Sequence, residues 1–107
     1  MLFIWLTQFI NLKLNIMKTK VMNMKSNKGN DIPNQFIITT EEGRYFQSYN
    51  SVIAFKPYNN GQVLLDCSDW NYSTTTSKYR NQFLNETTKE TQKKIDQGIY
   101  KLVDLNE

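Results

Sequence analysis

The sequence has no histidine and a single cysteine, Cys67, among its 107 residues. Without histidine, the chain cannot build a Ser-His-Asp triad or a Cys-His dyad. One cysteine cannot form a disulfide within the chain, and zinc sites made of cysteine and histidine are excluded as well. Glycine-rich phosphate-binding loops are also missing. We therefore expect a protein that is not an enzyme, needs no cofactor or metal, and lies in the reducing cytoplasm.

Acidic residues are missing from the first thirty positions, which hold five lysines. Residues 31–107 hold eight Lys or Arg against ten Asp or Glu, so this part is slightly acidic although the whole chain has a formal charge of +3. The basic character belongs to the N-terminal segment, which weakens any bulk electrostatic case for nucleic-acid binding. Apolar residues make up 39% and charged residues 21%, and these proportions indicate a globular domain.

Residues 1–16 are apolar at eleven positions, several of them at helical spacing. A membrane-spanning helix needs about 20 apolar residues, and Lys13 interrupts the run, so we expect no stable membrane insertion. The run also lacks the flanking features of a secretory signal. We predict that residues 1–33 are a disordered leader or an over-extended start, with a linker at 25–32; an amphipathic anchor is the alternative. The start codon stays open among Met1, Met17, Met22 and Met24.

From Gln35 onward, short β-branched and aromatic runs separated by turn residues predict strands. Turn residues at Glu41-Glu42-Gly43 and Asn60-Gly61 predict hairpins, and Gly43 is free to adopt a positive φ. The four predicted strands cover residues 36–40, 44–49, 52–55 and 63–65. Residues 99–105 alternate as a fifth strand would. These short connections favour an antiparallel meander.

Two short helices are predicted after the fourth strand, at about 75–84 and 88–97. Thr87 and Glu90 match a capping box, and Gly98 stands where a left-handed C-terminal cap belongs. Residues 34–107 are expected to form one α+β domain: a small antiparallel four- to five-stranded sheet with two short helices, in the order ββββααβ. The expected core residues are Phe36, Ile38, Phe46, Ile53, Phe55, Val63, Leu65, Phe83, Ile95 and Leu102. Because this core is lean, a homodimer is a further expectation.

The stretch from Trp70 to Arg80 is the most unusual in the chain, with five consecutive hydroxyl residues at a predicted helix start. Free N–H groups and the helix dipole favour an anion such as phosphate there, and aromatic side chains can stack on bases. The candidate anion- or nucleic-acid-binding residues are Arg44, Trp70, Tyr72, Ser73, Thr75, Thr76, Lys78 and Arg80. The alternative is structural: Ser73 or Thr74 caps the helix, and the aromatic residues fill the edge of the core.

Three residues near the fourth strand suggest unfamiliar chemistry. Cys67 would need a nearby cation or helix start to act as a nucleophile, and a small buried filler is the commoner role for such a residue. Asp66 and Asp69 offer two carboxylates, which are too few for a cation site, and Asp69 fits a capping or turn role better. An enzyme built on these residues is the least favoured hypothesis.

Two stretches resemble a domain of unknown function found in phage and mobile-element proteins. The first is SYNSVIA at residues 48–54. The second is Trp70-x-Tyr72-Ser73-x-Thr75-Thr76-x-Lys78-Tyr79, leading into Phe83-Leu84. Asn50 stands where the family pattern has glycine, and Tyr79 stands near its histidine, so no chemistry that rests on an imidazole carries over. The resemblance covers about residues 36–105 and implies a viral or mobile-element setting without a known activity.

Two functions therefore lead. The favoured one is a small, non-enzymatic accessory protein that binds an unknown protein partner. The alternative is a nucleic-acid-binding module that uses the helix start at Ser73–Arg80.

Overall fold

The computed structural model describes residues 19–107, and the predictions for residues 1–16 lie outside the described residues. The described part contains six strands and two helices. The strands are β1 (Lys20–Lys25), β2 (Asp31–Thr39), β3 (Gly43–Ser48), β4 (Ser51–Pro57), β5 (Leu64–Asp66) and β6 (Lys101–Val103). The helices are α1 (Thr74–Leu84) and α2 (Thr88–Asp96), both between β5 and β6. All six strands form one sheet in chain order.

The sheet is larger and less regular than the sequence predicts. It has six strands rather than four or five, and it is mixed because β6 pairs parallel with β5. A connection through two helices brings the chain back to the starting end of β5, so β6 runs in the same direction. The other neighbours pair antiparallel through short connections. The α+β class and the two helices are confirmed, whereas the strand count and the purely antiparallel sheet are wrong.

Strand β1 lies in the stretch predicted as leader and linker. It pairs with β2, and residues 26–30 form the turn of this hairpin. The Ser26 N–H donates to the Asn30 carbonyl at 2.8 Å, and Gly29 adopts the positive φ (81°) that the turn requires. A polar stretch with glycine fits a hairpin turn as well as a linker, so composition alone misleads here. The linker prediction is wrong, and the sheet begins before residue 34.

One face of the sheet carries the core, and α1 packs against it over β3 and β4. The strand register sets one apolar row across this helix-covered face, with one residue from each strand. The members of the row are Met22, Ile37, Phe46, Ala54, Leu65 and Leu102. Phe46 lies under Phe83 of α1, with 5.8 Å between the ring centroids. The centre of the row is buried, and its two ends are exposed.

Whether a core prediction for a strand residue is right depends on which face of the sheet its side chain occupies. Phe46, Ile53 and Leu65 are fully buried as predicted, while Val63, Phe83 and Ile95 are partly buried and pack against them. Phe36, Ile38 and Phe55 are half-buried on the opposite face of the sheet rather than in the core, and Leu102 is exposed, so these four core predictions are wrong. Phe36 and Ile38 flank Ile37, which takes the inward position, and an uninterrupted apolar run gives no alternation from which to choose a face. Phe55 turns outward in the same way beside buried Ala54.

Local signals place the helix ends well. Thr87 and Glu90 form the predicted capping box, and Gly98 adopts a positive φ of 74°. Gly43 does not adopt a positive φ, which corrects the prediction for that turn; a Cβ there would lie 2.5 Å from the Lys56 carbonyl oxygen. Close approach of β3 and β4 is therefore what requires this glycine.

Within residues 19–107, neither helix is long and apolar enough to cross a membrane.

Glu86 joins α2 and β6 from the short connection between the helices. Its buried carboxylate accepts hydrogen bonds from Thr91 Oγ1 (2.6 Å), Lys94 Nζ (2.8 Å) and Tyr100 Oη (2.6 Å). Burial raises the pKa of Glu86, but the hydrogen bonds from Lys94, Thr91 and Tyr100 outweigh it and hold the pKa below its usual value. The ionised carboxylate therefore stabilises the docked helix.

Candidate functional site

The predicted anion site at the start of α1 is mostly structural. Ser73 is the N-cap, and its Oγ accepts from the Thr76 N–H at 3.1 Å. Thr76 itself is buried, with its hydroxyl 3.0 Å from the hydroxyl of Ser48 on β3. Both side chains hold the helix on the sheet. Thr76 is therefore not accessible to a ligand.

Arg80 is the centre of this structural cluster and is fully buried (0% exposed). Its guanidinium lies over the Trp70 ring at 5.0 Å and donates to four neutral acceptors. These acceptors are Trp70 O (2.5 Å), Asn71 Oδ1 (3.0 Å), Asn81 Oδ1 (2.9 Å) and Thr88 Oγ1 (2.8 Å). Burial lowers the pKa of Arg80, and Glu86 partly offsets this, yet the group stays cationic. Arg80 ties the loop before α1 to both helices.

A shallow hollow of about 760 Å³ lies over this cluster. It is lined by Asn71, Tyr72, Ser73, Thr74, Ser77, Lys78, Asn81 and Thr88. Only Tyr72, Ser73 and Lys78 of the predicted binding residues line it, and two lining residues are already bonded to each other, Ser77 Oγ to Asn71 Oδ1 at 2.6 Å. Arg44 lies elsewhere, and Thr75 does not line the hollow. The structure does not bring the eight predicted residues together.

A second hollow lies beside the last turn of α1, on the side that faces β1 and β2, and we name it the β1 groove. Helix α1 covers β3 and β4, which leaves the same face of β1 and β2 open beside its last turn. The groove measures about 340 Å³ and is lined by Met22, Asn23, Met24, Lys25, Ile37, Thr39, Arg44, Gln82 and Phe83. Four of these nine residues are apolar, namely Met22, Met24, Ile37 and Phe83, and the other five are polar or charged. Met22 is 57% exposed within it.

A row of cations borders the β1 groove at the end nearest the β2–β3 turn. The register pairs Lys20 with Thr39, Thr39 with Arg44, and Arg44 with Lys56. Residues in register share a face, so Lys20, Arg44 and Lys56 are exposed on the side of the sheet that α1 covers. The ion pairs within residues 19–107 join Lys25 to Asp31 and Lys94 to Glu86, and neither involves this row.

This row makes the rim electropositive and locally unfavourable. Arg44 and Lys56 stand directly opposite each other on neighbouring antiparallel strands, where like charges destabilise the sheet. Glu41 and Glu42 lie in the adjacent turn. A partner carboxylate at the rim would relieve the repulsion between the two cations. The geometry therefore suits a ligand that is apolar in the middle and negatively charged at one end.

Sequence reasoning missed the β1 groove because its methionines fall in the predicted leader. A signal was present: in Lys20–Lys25 the residues Val21, Met22 and Met24 lie between two lysines, as in a short edge strand with charged ends. Arg44 was named from sequence, but as part of the helix-start site. The structure places it with Met22 and Phe83 instead.

Of the three residues considered for unfamiliar chemistry, Asp66 has a structural role, and it rather than Asp69 accepts hydrogen bonds from the following turn. Asp66 is buried and accepts from the N–H groups of Leu105 (2.9 Å), Asp69 (2.8 Å) and Ser68 (3.2 Å). Burial raises the pKa of Asp66, but these hydrogen bonds outweigh it and lower the pKa below its usual value. Cys67 is exposed rather than a buried filler, and residues 19–107 contain no cluster of three metal-ligating side chains.

A family model matches residues 18–98; it is DUF8033, a family of unknown function. No curated protein and no solved structure matches the chain. The matched residues include β1 and both helices, so the edge strand and the β1 groove lie inside the family region.

Proposed function

The chain belongs to this family of unknown function, DUF8033, and we propose that it is a small, non-enzymatic module that binds a protein partner in the β1 groove. The observation that carries the proposal is a partly apolar, methionine-lined groove bordered by three cations that have no ion-pair partner within residues 19–107. Methionine is unbranched and adaptable, which suits a surface that receives a partner side chain. The partner segment in this proposal is apolar with acidic residues beside it.

Charge complementarity selects this partner over a nucleic acid. The three cations lie in one short row next to apolar side chains, whereas a nucleic-acid surface needs a basic stripe with accessible aromatic faces. At the alternative site, Arg80 directs its donors to neutral protein acceptors, and Lys78 is the one cation that lines the hollow. The helix start therefore has less support than the β1 groove.

The setting of the protein belongs to the same proposal. A phage or mobile-element origin rests on the sequence resemblance at residues 48–54 and 70–84. A cytoplasmic location is supported by the free, exposed thiol of Cys67, which is typical of a reducing compartment.

The test is a peptide titration of the full chain labelled with ¹³C at the methionine methyl groups. The probe is a short leucine-rich peptide with glutamates, and the control peptide has lysines in their place. We expect the Met22 and Met24 signals to shift with the glutamate peptide and not with the lysine peptide. The proposal is wrong if both peptides shift them equally or neither does.

A charge-reversing substitution of Arg44 tests whether the rim of the β1 groove binds the glutamates of the peptide. Arg44→Glu should weaken binding of the glutamate peptide about tenfold, equivalent to about 1.4 kcal/mol. Lys28→Glu is the matched control, because Lys28 is an exposed lysine in the β1–β2 turn, outside the groove. Equal weakening by both variants would mean that net charge, rather than the rim, controls binding.

A further inference from the structure

Among the described residues 19–107, no strand pairs with the outer edge of β1. β1 is the first strand of the sheet in this part of the chain and pairs there with β2 on one side only. Within residues 19–107, one hydrogen bond reaches its backbone from outside β2, from Gln82 Nε2 to the Lys25 carbonyl at 3.3 Å. The remaining outward N–H and C=O groups of Lys20–Met24 are the kind of template to which an extended peptide adds.

Both faces beside this edge are apolar. On the helix-covered side, Met22 and Met24 line the β1 groove. On the opposite side, the register sets a second row of apolar side chains, which ends at β1 with Val21. The members of this row are Val21, Ile38, Tyr45, Phe55 and Leu64. The Tyr45 and Phe55 rings are 4.4 Å apart, and Val21 at the end of the row is 63% exposed.

We propose that the partner segment binds by adding a strand to the outer edge of β1. This inference rests on the proposed function of the β1 groove and specifies its binding mode. Alternate side chains of the added strand enter the groove beside Met22 and extend the opposite row beyond Val21. Acidic residues at its ends lie opposite Lys20, which has no ion-pair partner within residues 19–107, and beside Lys25, whose exposed ion pair with Asp31 they would share. The occupant is therefore an extended segment of a partner protein, apolar in the middle and acidic at its ends.

The two lysines argue against a second copy of the chain as the occupant. Antiparallel pairing of β1 with β1 of another copy would set Lys20 of one copy opposite Lys25 of the other, twice across the twofold axis. Like charges directly opposite each other destabilise a sheet, and lysines at strand edges are a common device against self-pairing. Because Asp31 already pairs with Lys25, Lys20 carries the larger part of this repulsion, and an acidic residue opposite Lys20 turns it into attraction.

The experiment separates backbone pairing from side-chain docking. The probe is a peptide of alternating leucine and threonine with a glutamate at each end, titrated into the full chain. Two further versions of the peptide carry N-methyl groups, one on the amides of its odd-numbered residues and the other on those of its even-numbered residues. In an added strand, the amide N–H groups of one of these two sets point toward β1 and those of the other set point toward solvent. We expect one version to bind about tenfold more weakly or worse, and the other to bind like the parent.

The outcomes are distinguishable. If both N-methylated versions bind equally while Met22 and Met24 still shift, strand addition is wrong and the groove proposal stands. If the parent peptide shifts neither methionine, both proposals fail. If β1 amides of the free chain become protected from exchange as its own concentration rises, a second copy occupies the edge and the inference is overturned.

A charge swap checks the strand ends. Lys20→Glu should weaken the glutamate-ended peptide about tenfold and strengthen a lysine-ended peptide. Lys28→Glu should change neither. Equal affinity of Lys20→Glu for both peptides would contradict the pairing of acidic ends with β1.

Discussion

Helix α1 borders two different kinds of surface. On the side that faces the loop at Trp70, the cation Arg80 in the second half of the helix is buried, and its hydrogen-bond partners belong to the chain itself. On the side that faces β1 and β2, the last turn of α1 lies beside exposed Met22 and beside Arg44, which has no ion-pair partner within residues 19–107. Within residues 19–107, the guanidinium of Arg80 finds partners for all its nitrogens except Nε, whereas the guanidinium of Arg44 has no ion-pair partner.

The difference teaches how to weigh polar residues as evidence of binding. Arginine next to hydroxyl residues at a helix start fits both an anion site and a folded clamp, and burial decides between them. A site for a partner is better indicated by groups that the fold leaves uncompensated, such as opposing cations and an exposed methionine. The following variants test the Arg80 cluster and the surface around Arg44 separately, from the largest expected effect to the smallest.

Arg80→Ala should have the largest effect. It leaves a cavity and removes the donors from Trp70 O, Asn71, Asn81 and Thr88, so we expect a loss of about 3–5 kcal/mol of stability. Denaturant unfolding of the full chain measures it. Lys78→Ala on the same helix is the control and should stay within about 1 kcal/mol of wild type. A loss below about 1 kcal/mol for Arg80→Ala would mean that the clamp is not structural.

Arg80→Lys tests whether the shape of the guanidinium, rather than its charge, stabilises the protein. Lysine keeps the charge but lacks the planar fork that reaches several acceptors at once. We expect little recovery of stability relative to Arg80→Ala. Full recovery would show that charge matters there and would return the helix start to consideration as an electrostatic site.

Glu86→Gln, beyond the last turn of α1, should cost about 1–3 kcal/mol, because charge-assisted bonds to Lys94 and Tyr100 are lost. The pKa of Glu86 is lowered on folding, so its contribution is present above the unfolded pKa and is lost as pH falls through the folded one. Wild-type stability should therefore drop below about pH 4.5, the ordinary value, and the drop should be smaller in Glu86→Gln.

The pH dependence is measured by denaturant unfolding at a series of pH values. Glu42→Gln, at an exposed carboxylate in the β2–β3 turn, is the control and should leave the acid limb unchanged. Identical pH profiles for wild type and Glu86→Gln would contradict the role given to the ionised carboxylate.

Gln35→Met should stabilise the protein by about 1 kcal/mol. Gln35 is buried on β2, and within residues 19–107 neither its amide nitrogen nor its amide oxygen has a hydrogen-bond partner. Burying an unpaired amide costs about 1–3 kcal/mol, and methionine has a similar length and adaptable packing. Unfolding curves give the change. Destabilisation by more than about 1 kcal/mol would show that the amide is engaged, as the Arg80 guanidinium is.

Much of the fold follows from local sequence signals. Thr87 and Glu90 cap α2, Gly98 ends the turn after it, and the predicted hairpins connect β2, β3 and β4, because these signals act over a few residues. The sequence could not place β1 or the inward phase of β2. The polar residues 26–30 fit a linker as well as a turn, and the run at 36–38 has no alternation.

The candidate site was less predictable, for a physical reason. Lys78 and Arg80 are two residues apart on one helix, and only the positions of Trp70 and Thr88 in the folded chain bury one and expose the other. The groove likewise depends on which strands α1 leaves uncovered. The burial of Arg80 and the position of the groove both depend on contacts between distant parts of the chain. Arg44 and Met22 therefore indicate a groove only after the order of the strands is known.

Arg44→Thr should have the smallest effect on stability and the clearest separation from Arg80. Threonine suits a strand and removes the repulsion with Lys56, so we expect a gain of up to about 0.5 kcal/mol, larger at low salt. Lys28→Thr in the β1–β2 turn is the control and should show no such salt dependence. If Arg44→Thr lost more than about 1 kcal/mol, Arg44 would be a second structural cation. The two surfaces beside α1 would then be alike, and Arg44 would no longer count as a cation available to a partner at the rim of the β1 groove.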